Sequence, residues 1–270
     1  MNFKNKVVVV TGASSGIGKA CAGEFARRGA NLVLAARQFV TLCEITAALE
    51  QQYGIKALAV QTDVTQEEEC QHLIKQAVLT FGKVDILVNS AGISMRSLFI
   101  DMDLSVIRKV MEVNFYGTVY CTKFALPEIL KTKGTIIGVS SSAGYRGLPG
   151  RTAYTASKFA LNGFMEALRT ELLRKDVHVM VASPGFTASN IRATALDKNG
   201  VAHGATNMEE EKMMSSEEVA QRIADGIAGR KRDLIMTGQG KLAVWMNKLF
   251  PALTDKLVYK HYVKEGTLKE

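Results

Sequence analysis

The sequence predicts an open α/β domain in which parallel strands are covered by helices on both faces. Three observations carry that expectation. Residues 7–10 are four consecutive valines, and an unbroken β-branched run is what a strand buried on both faces requires. Strand-like and helical segments then alternate without a break to about residue 184. The strands run out into short turns of glycine, serine and alanine, the edge at which ligands of open α/β sheets gather. With 270 residues, 47% of them hydrophobic, only four prolines and no low-complexity linker, one domain is expected.

The first strand, over 6–10, stops at Thr11-Gly12-Ala13-Ser14-Ser15-Gly16-Ile17-Gly18 and opens into a helix over 19–28 that carries apolar Ala20, Ala22, Phe25 and Ala26. Such a turn brings backbone N–H groups and a helix N-terminus up to a phosphate only where no Cβ intervenes. Gly12 would make the turn, Gly16 would admit a pyrophosphate, and Gly18 would let the helix pack closely on the sheet. The G-x-x-x-G-x-G spacing differs from the commoner dinucleotide fingerprint, so its place between a valine strand and a helix carries the argument.

A second strand over 31–36 ends at Arg37. Dinucleotide folds place an acid there for a ribose 2′-OH, or an arginine for a 2′-phosphate. With Ala36 and Arg37 in that place, and Ser14 able to donate a further hydrogen bond, NADP(H) is expected over NAD(H). The bland alternative is a solvated arginine at a strand end. A helix over 38–53 closes at Gly54, and a third strand over 56–61 runs into Thr62-Asp63-Val64. Asp63 is expected to cap the helix over 66–81 or to meet an adenine amino group.

The helix over 66–81 ends at Gly82, and a fourth strand over 84–88 runs into Asn89-Ser90-Ala91-Gly92. A long helix over 105–131 follows, with Asn114 amid Met111, Val113 and Phe115. Taken alone, that asparagine reads as structural. A fifth strand over 135–139 leads to Ser140-Ser141-Ser142-Ala143-Gly144, then a helix over 151–174 presents Tyr154 and Lys158 on one face. A sixth strand over 177–182 ends at Pro184-Gly185.

Cys21, Cys43, Cys70 and Cys121 are far apart and none forms a C-x-x-C pair, so reduced, packed thiols are expected. His72, His178, His203 and His261 are equally scattered, which points to no metal centre. Of the net charge of +8, an excess of five lies between 230 and 270, where nine Lys or Arg face four Asp or Glu. No aromatic-interleaved basic stripe accompanies it, so no nucleic-acid partner is expected. The first strand begins within a few residues of Met1 and no apolar run reaches spanning length, so a cytoplasmic protein is expected.

Taken together, the ordered residues resemble the short-chain dehydrogenase/reductase family. The likeness runs from Val7 to about Thr237. It rests on Thr11-Gly12-x-x-x-Gly16-x-Gly18, Asp63-Val64, Asn89-x-Ala91-Gly92, Asn114, Ser141 thirteen residues before Tyr154, Tyr154-x-x-x-Lys158 and Pro184-Gly185. Ser90 stands where many members have a second asparagine, and Thr187 and Ser189 stand where members often carry Ile or Val and then Thr. The resemblance implies a three-layer, doubly wound Rossmann sheet of seven parallel strands with the last at 233–237. It implies a catalytic tetrad of Asn114, Ser141, Tyr154 and Lys158, and it selects Ser141 among three adjacent serines. Cofactor contacts are implied at the glycine turn (Gly12, Ser14, Ser15, Gly16, Ile17, Gly18), at Arg37, Asp63, Val64, Asn89, Ala91, Gly92, Tyr154 and Lys158, and at Pro184, Gly185, Thr187 and Ser189. A homodimer or homotetramer is also implied.

The chemistry agrees. Hydride addition to a ketone makes an alkoxide, which needs a proton donor in reach and a second donor to hold the oxygen. The ordinary tyrosine pKa is about 10, so work at neutral pH asks for up to ~3 units of stabilisation of the phenolate, which an ammonium from Lys158 is expected to supply. Lys158 would also bind the nicotinamide ribose, and Asn114 would link it through water to solvent. The expected reaction interconverts a small to medium apolar carbonyl, steroid-like or xenobiotic, and its secondary alcohol. A 3-oxoacyl reductase and a non-catalytic NADP-sensing protein are the rivals.

From 187 to 216 the chain is polar and weakly periodic, placed to close over a substrate. Ser215 or Ser216 is expected to cap the next helix, ahead of Glu217 and Glu218. Residues 1–238 read as the domain proper and 239–270 as a helical extension of it. In that extension Leu242, Val244, Trp245, Met246, Leu249, Phe250, Leu253, Leu257 and Val258 recur at helical spacing among lysines, interrupted by Pro251. The stripe is expected to pack on a subunit or on the body of the fold, with a membrane surface as the less favoured partner.

Overall fold

A computed structural model describes residues 2–187, 191–202 and 213–268. Seven parallel strands form one sheet: β1 (Val7–Thr11), β2 (Asn31–Ala36), β3 (Ala57–Gln61), β4 (Ile86–Asn89), β5 (Thr135–Val139), β6 (His178–Ser183) and β7 (Asp233–Ile235), in the order β3-β2-β1-β4-β5-β6-β7. Chain order reverses at β1, which pairs with β2 on one side and β4 on the other. That switch point opens a crevice at the carboxyl ends of the strands. The helices are α1 (Gly16–Arg27), α2 (Phe39–Tyr53), α3 (Glu67–Phe81), α4 (Leu104–Met111), α5 (Gly117–Thr132), α6 (Thr152–Glu171), α7 (Ser216–Ala228), α8 (Gly238–Leu249) and α9 (Pro251–Lys264).

The period of two along the strands divides the core into two layers. Val8, Val10, Leu32 and Leu34 face α1, α2 and α7, where they meet Phe25, Leu42 and Ile223. Val7, Val9, Val33 and Ala35 face α3, α5 and α6, where they meet Leu73, Ile129 and Met165. Both faces of the valine strand are therefore buried, as its composition demands. A third, smaller cluster of Met95, Met102, Val106, Val110, Ala153 and Leu196 packs beside Tyr154 at the crevice.

Helix ends follow local chemistry. Gly54 and Gly82 stop α2 and α3 in the left-handed conformation. Ser215 caps α7, its hydroxyl accepting from the Glu218 N–H at 3.0 Å. Beneath the sheet, buried Asp85 accepts from the Val7 N–H at 2.9 Å and pairs with Lys6 at 2.8 Å and Lys83 at 3.0 Å. Burial alone would raise its pKa, but these hydrogen bonds hold the carboxyl below its ordinary value.

Four expectations are corrected. The helix expected over 105–131 is two helices joined by a turn of π-helix, Glu112–Tyr116, because the side chain of Asn114 is pulled out of the helical pattern by bonds to a distant segment. Asp63 caps no helix: its carboxylate accepts from the N–H and hydroxyl of Thr65 at 3.0 and 2.9 Å, a local turn, and the cap position of α3 is Gln66. Cys43 is exposed, whereas Cys21, Cys70 and Cys121 are buried. The body of the fold covers only part of the stripe of α8 and α9: Val244, Met246 and Val258 are half-buried, whereas Leu242, Trp245 and Leu249 are each 55% exposed, and polar anchors face inward beside them. Arg146 donates to Asn247 at 2.7 Å and pairs with Asp255 at 2.6 Å, and Asn247 donates to the Tyr145 carbonyl at 3.0 Å. Ser189 and the stretch 203–212 of the expected lid lie outside the described residues. No described helix is long and apolar enough to cross a membrane, and no described cluster of His, Cys, Asp and Glu could hold a metal.

Candidate active site

The glycine turn is built by close approach. Gly12 and Gly16 have φ of +67° and +52°, where side chains are strained. A Cβ on Gly18 would lie 2.2 Å from the Gly12 carbonyl oxygen, and one on Gly12 would lie 2.8 Å from the Ala91 Cα. Thr11 Oγ1 ties this turn to the next by accepting from the Ser90 and Ala91 N–H groups, both at 3.1 Å. Ser15 makes no side-chain cap bond to α1, so the N–H groups of its first turn stay available to an anion.

At the β2 end, Ser14 donates to Gln38 Oε1 at 2.9 Å. Arg37 is exposed, and its guanidinium has no carboxylate partner among the described residues. A cavity of about 1060 Å³ runs from this turn to the catalytic candidates. Gly12, Ser14, Ser15, Gly16, Ile17 and Gly18 line it, as do Arg37, Asp63, Val64, Ala91 and Gly92. Ser141, Tyr154 and Lys158 line its other end with Pro184, Gly185 and Thr187. The glycine turn leaves room that any Cβ would fill, the helix end offers free donors, and Arg37 offers a free cation. These features fit a nicotinamide dinucleotide.

Among the three serines the geometry separates roles. Ser140 donates to Asn162 at 2.6 Å. Ser141 accepts from the Ala143 N–H at 3.2 Å and lines the cavity beside Tyr154. Ser142 begins a single 3-10 turn, Ser142–Gly144. Tyr154 stands in the first turn of α6, whose N-terminus carries partial positive charge. Lys158, buried, donates to the Val139 carbonyl at 2.9 Å and lies 5.7 Å from the centre of the Tyr154 ring. Burial pushes its ammonium down to about 8.

The expected lowering of the Tyr154 pKa by Lys158 is corrected. Burial is the largest influence and raises it; the neighbouring Ser141 hydroxyl and the charge of Arg151 oppose that but do not overcome it. Asn114 and Asn89 do not line the cavity. Fully buried Asn114 accepts from the Ile93 N–H at 2.8 Å and donates to the Ile93 carbonyl at 3.0 Å and to Ser157 at 2.9 Å, fixing the segment after Gly92. Asn89 donates to Thr122 at 3.1 Å, and its side-chain Oδ1 is buried without a partner among the described residues. Sequence reasoning missed Arg151, Ser94, Ile93, Leu148 and Phe186, which line the catalytic end. Only their position in the fold marks them, since none belongs to a spaced motif.

The family model described as short chain dehydrogenase matches residues 6–200. The chain is 37% identical over 274 residues to the rat protein named dehydrogenase/reductase SDR family member 7B, spanning 99% of this chain and 84% of that one. It is 40% identical over 187 residues to the 11-beta-hydroxysteroid dehydrogenase A of Sesamum indicum, which covers 69% of this chain and 53% of that protein. Among solved structures it resembles an alcohol dehydrogenase of the archaeon Thermococcus sibiricus complexed with 5-hydroxy-NADP, with a TM-score of 0.77 and 25% identity over 86% of this chain and 95% of that one. A Burkholderia phymatum short chain dehydrogenase/reductase in complex with NAD matches in fold with a TM-score of 0.83 and 24% identity over 94% and 96% of the two chains.

Proposed function

The chain belongs to the short-chain dehydrogenase/reductase family, and from that premise we propose that it interconverts a carbonyl and a secondary alcohol with NADP(H), Tyr154 serving as acid and base. The observation that carries the reading is the meeting of three groups in one cavity: the phenol of Tyr154, the hydroxyl of Ser141 and the ammonium of Lys158, which lies 5.7 Å from the centre of the phenol ring. When bound, the nicotinamide supplies or accepts the hydride.

In reduction, Ser141 donates a hydrogen bond to the carbonyl oxygen while Tyr154 gives that oxygen its proton. A phenol held above its ordinary pKa by burial stays protonated at neutral pH, the form in which it can serve as the acid in reduction. Lys158 holds the Val139 carbonyl and keeps positive charge near the phenol as proton is lost. Asn114 holds the backbone at Ile93, against the pocket wall.

Preference for NADP(H) is supported by Arg37, a free guanidinium lining the cavity where an acid would repel a 2′-phosphate. An apolar, steroid-like or xenobiotic carbonyl is supported by Ile93, Leu148, Phe186, Ile191 and Leu196 along the substrate end, and by a relative named for a hydroxysteroid. The outward apolar face of α8 and α9 supports a homodimer or homotetramer. The test follows NADPH oxidation by the full-length chain across a panel of steroid, aromatic and aliphatic ketones and 3-oxoacyl thioesters. Turnover of apolar ketones with NADPH ahead of NADH supports the reading. Silence across the panel with intact NADPH binding would replace it with a nucleotide-sensing role.

A further inference from the structure

We propose that Arg151 is a positioning residue of this site: a fixed positive charge at the start of α6, tied to Ser94 at a corner that the C-terminal turn backs, acting across the cavity on the phenol of Tyr154. The inference rests on the reading of Tyr154 as acid and base.

Arg151 occupies the N-cap of α6, one helical turn ahead of Tyr154, and both side chains line the cavity. Its Nη1 donates to the hydroxyl of buried Ser94 at 3.1 Å, and the Ser94 carbonyl accepts from the Leu196 N–H at 2.9 Å. The guanidinium is thus tied to the segment that also packs beside Tyr154. The corner before it is clamped as well. The Gly150 carbonyl accepts from the Ser97 N–H at 3.0 Å, and a Cβ on Gly150 would lie 3.0 Å from Thr267 Cγ2. Thr267 and Leu268 in turn donate their N–H groups to the Tyr262 carbonyl at 2.9 and 3.1 Å. Buried Tyr262 lies close enough to feel the charges of Arg151 and Arg96. The turn after α9 therefore backs the corner at Gly150 that precedes the arginine.

Among the described residues no carboxylate neutralises Arg151. The charged and titratable groups around Tyr154 are Arg151 and Lys158 on α6, Lys109 and Glu112 across the cavity, Arg192 after β6, and Arg96 and Tyr262 behind Arg151. Arg151 stands three residues ahead of Tyr154 at the start of α6 and shares its cavity, and its charge draws the phenol's pKa down against the larger effect of burial. Lys158 sheds its proton as pH rises through about 8, whereas a guanidinium stays charged throughout the working range. Arginine thus supplies a bias that pH does not remove, added to that of the α6 N-terminus.

The test titrates the Tyr154 phenolate by its ultraviolet absorbance in pH jumps between 7 and 11. Each full-length protein is read against its Tyr154→Phe counterpart, so that the other tyrosines cancel. Loss of this opposite charge is expected to raise the midpoint of Arg151→Gln by about one pH unit or more, which is about a tenfold smaller phenolate fraction below the midpoint. Arg151→Lys, which keeps the charge, is expected to restore most of the shift. Should glutamine unfold the corner, Arg151→Met, which keeps the apolar stem, is read the same way. An unmoved midpoint in Arg151→Gln or Arg151→Met, or an equal rise in Arg151→Lys, would overturn the proposal. The titration needs no turnover, so an inactive wild-type enzyme would defeat the proposed reaction and leave this result readable.

Discussion

Substituting Gly18 by alanine tests how the nucleotide turn is built. The new Cβ would sit 2.2 Å from the Gly12 carbonyl oxygen, where real Cβ atoms keep at least 3.0 Å, so the two must part by no less than 0.8 Å. The opposing atom is backbone, and Gly12 is itself pressed on Ala91, so the strain cannot relax through a side chain. Overpacking of this kind costs about 1–3 kcal/mol, and the rigid partner places it at the upper end. For a chain of this size that lowers Tm by about 6–12 °C. Displacing the start of α1 also costs one or two charge-assisted hydrogen bonds to phosphate, roughly a ten- to hundredfold weaker Kd for NADPH. The assays are thermal melting without ligand and NADPH titration by fluorescence. Gly163, exposed on α6 with nothing within 4 Å of its virtual Cβ, is the control: its alanine variant is expected to melt about 1–4 °C higher from the helix-propensity gain alone. A Gly18→Ala protein that kept both its Tm within 2 °C and its NADPH Kd within twofold would refute the reasoning.

The other perturbations follow from single contacts. Arg37→Gln is expected to weaken NADPH binding by about ten- to hundredfold while leaving NADH unchanged, measured as the ratio of the two Kd values. Asp85→Asn removes the charge that Lys6 and Lys83 neutralise, and is expected to cost about 1–3 kcal/mol, read as a lower urea midpoint at pH 7. Because the folded carboxyl lies below its ordinary pKa, its contribution is present above the unfolded value near 4 and is lost as pH falls through the folded one. The gap between wild type and Asp85→Asn should therefore close in acid below about pH 4. Asn114→Ala leaves the Ile93 N–H and carbonyl without side-chain partners, so Tm is expected to fall by about 4 °C or more and NADPH-dependent turnover with it, read by melting and by kcat.

Much of the fold was legible because its signals are local. The valine run, the Gly54 and Gly82 stops and the Ser215 cap each act within a few residues, and the second and fifth strands carry the ends expected of them. The order of site motifs was legible for the same reason: a turn that excludes Cβ atoms leaves glycines in the sequence. What escaped depends on contacts distant in sequence. The π-turn at Asn114 is made by bonds to Ile93 and Ser157 that no periodicity encodes. Arg151 reads as an ordinary residue at the start of the helix over 151–174 until its bond to Ser94 is seen. Alternation in α8 and α9 shows an apolar face but not its direction, and the polar contacts of Arg146 and Asn247 turn much of that face away from the body of the fold. The rise in the Tyr154 pKa reflects burial, which spacing to Lys158 does not report.

The most direct measurement of the central claim is the rate of hydride transfer in the Tyr154→Phe protein saturated with NADPH, using the carbonyl that wild type reduces fastest. The account expects kcat to fall by about 10²–10⁴-fold, with the NADPH Kd changed by no more than a few-fold. A variant that retained most of the wild-type rate would contradict it, because the proton would then come from another group.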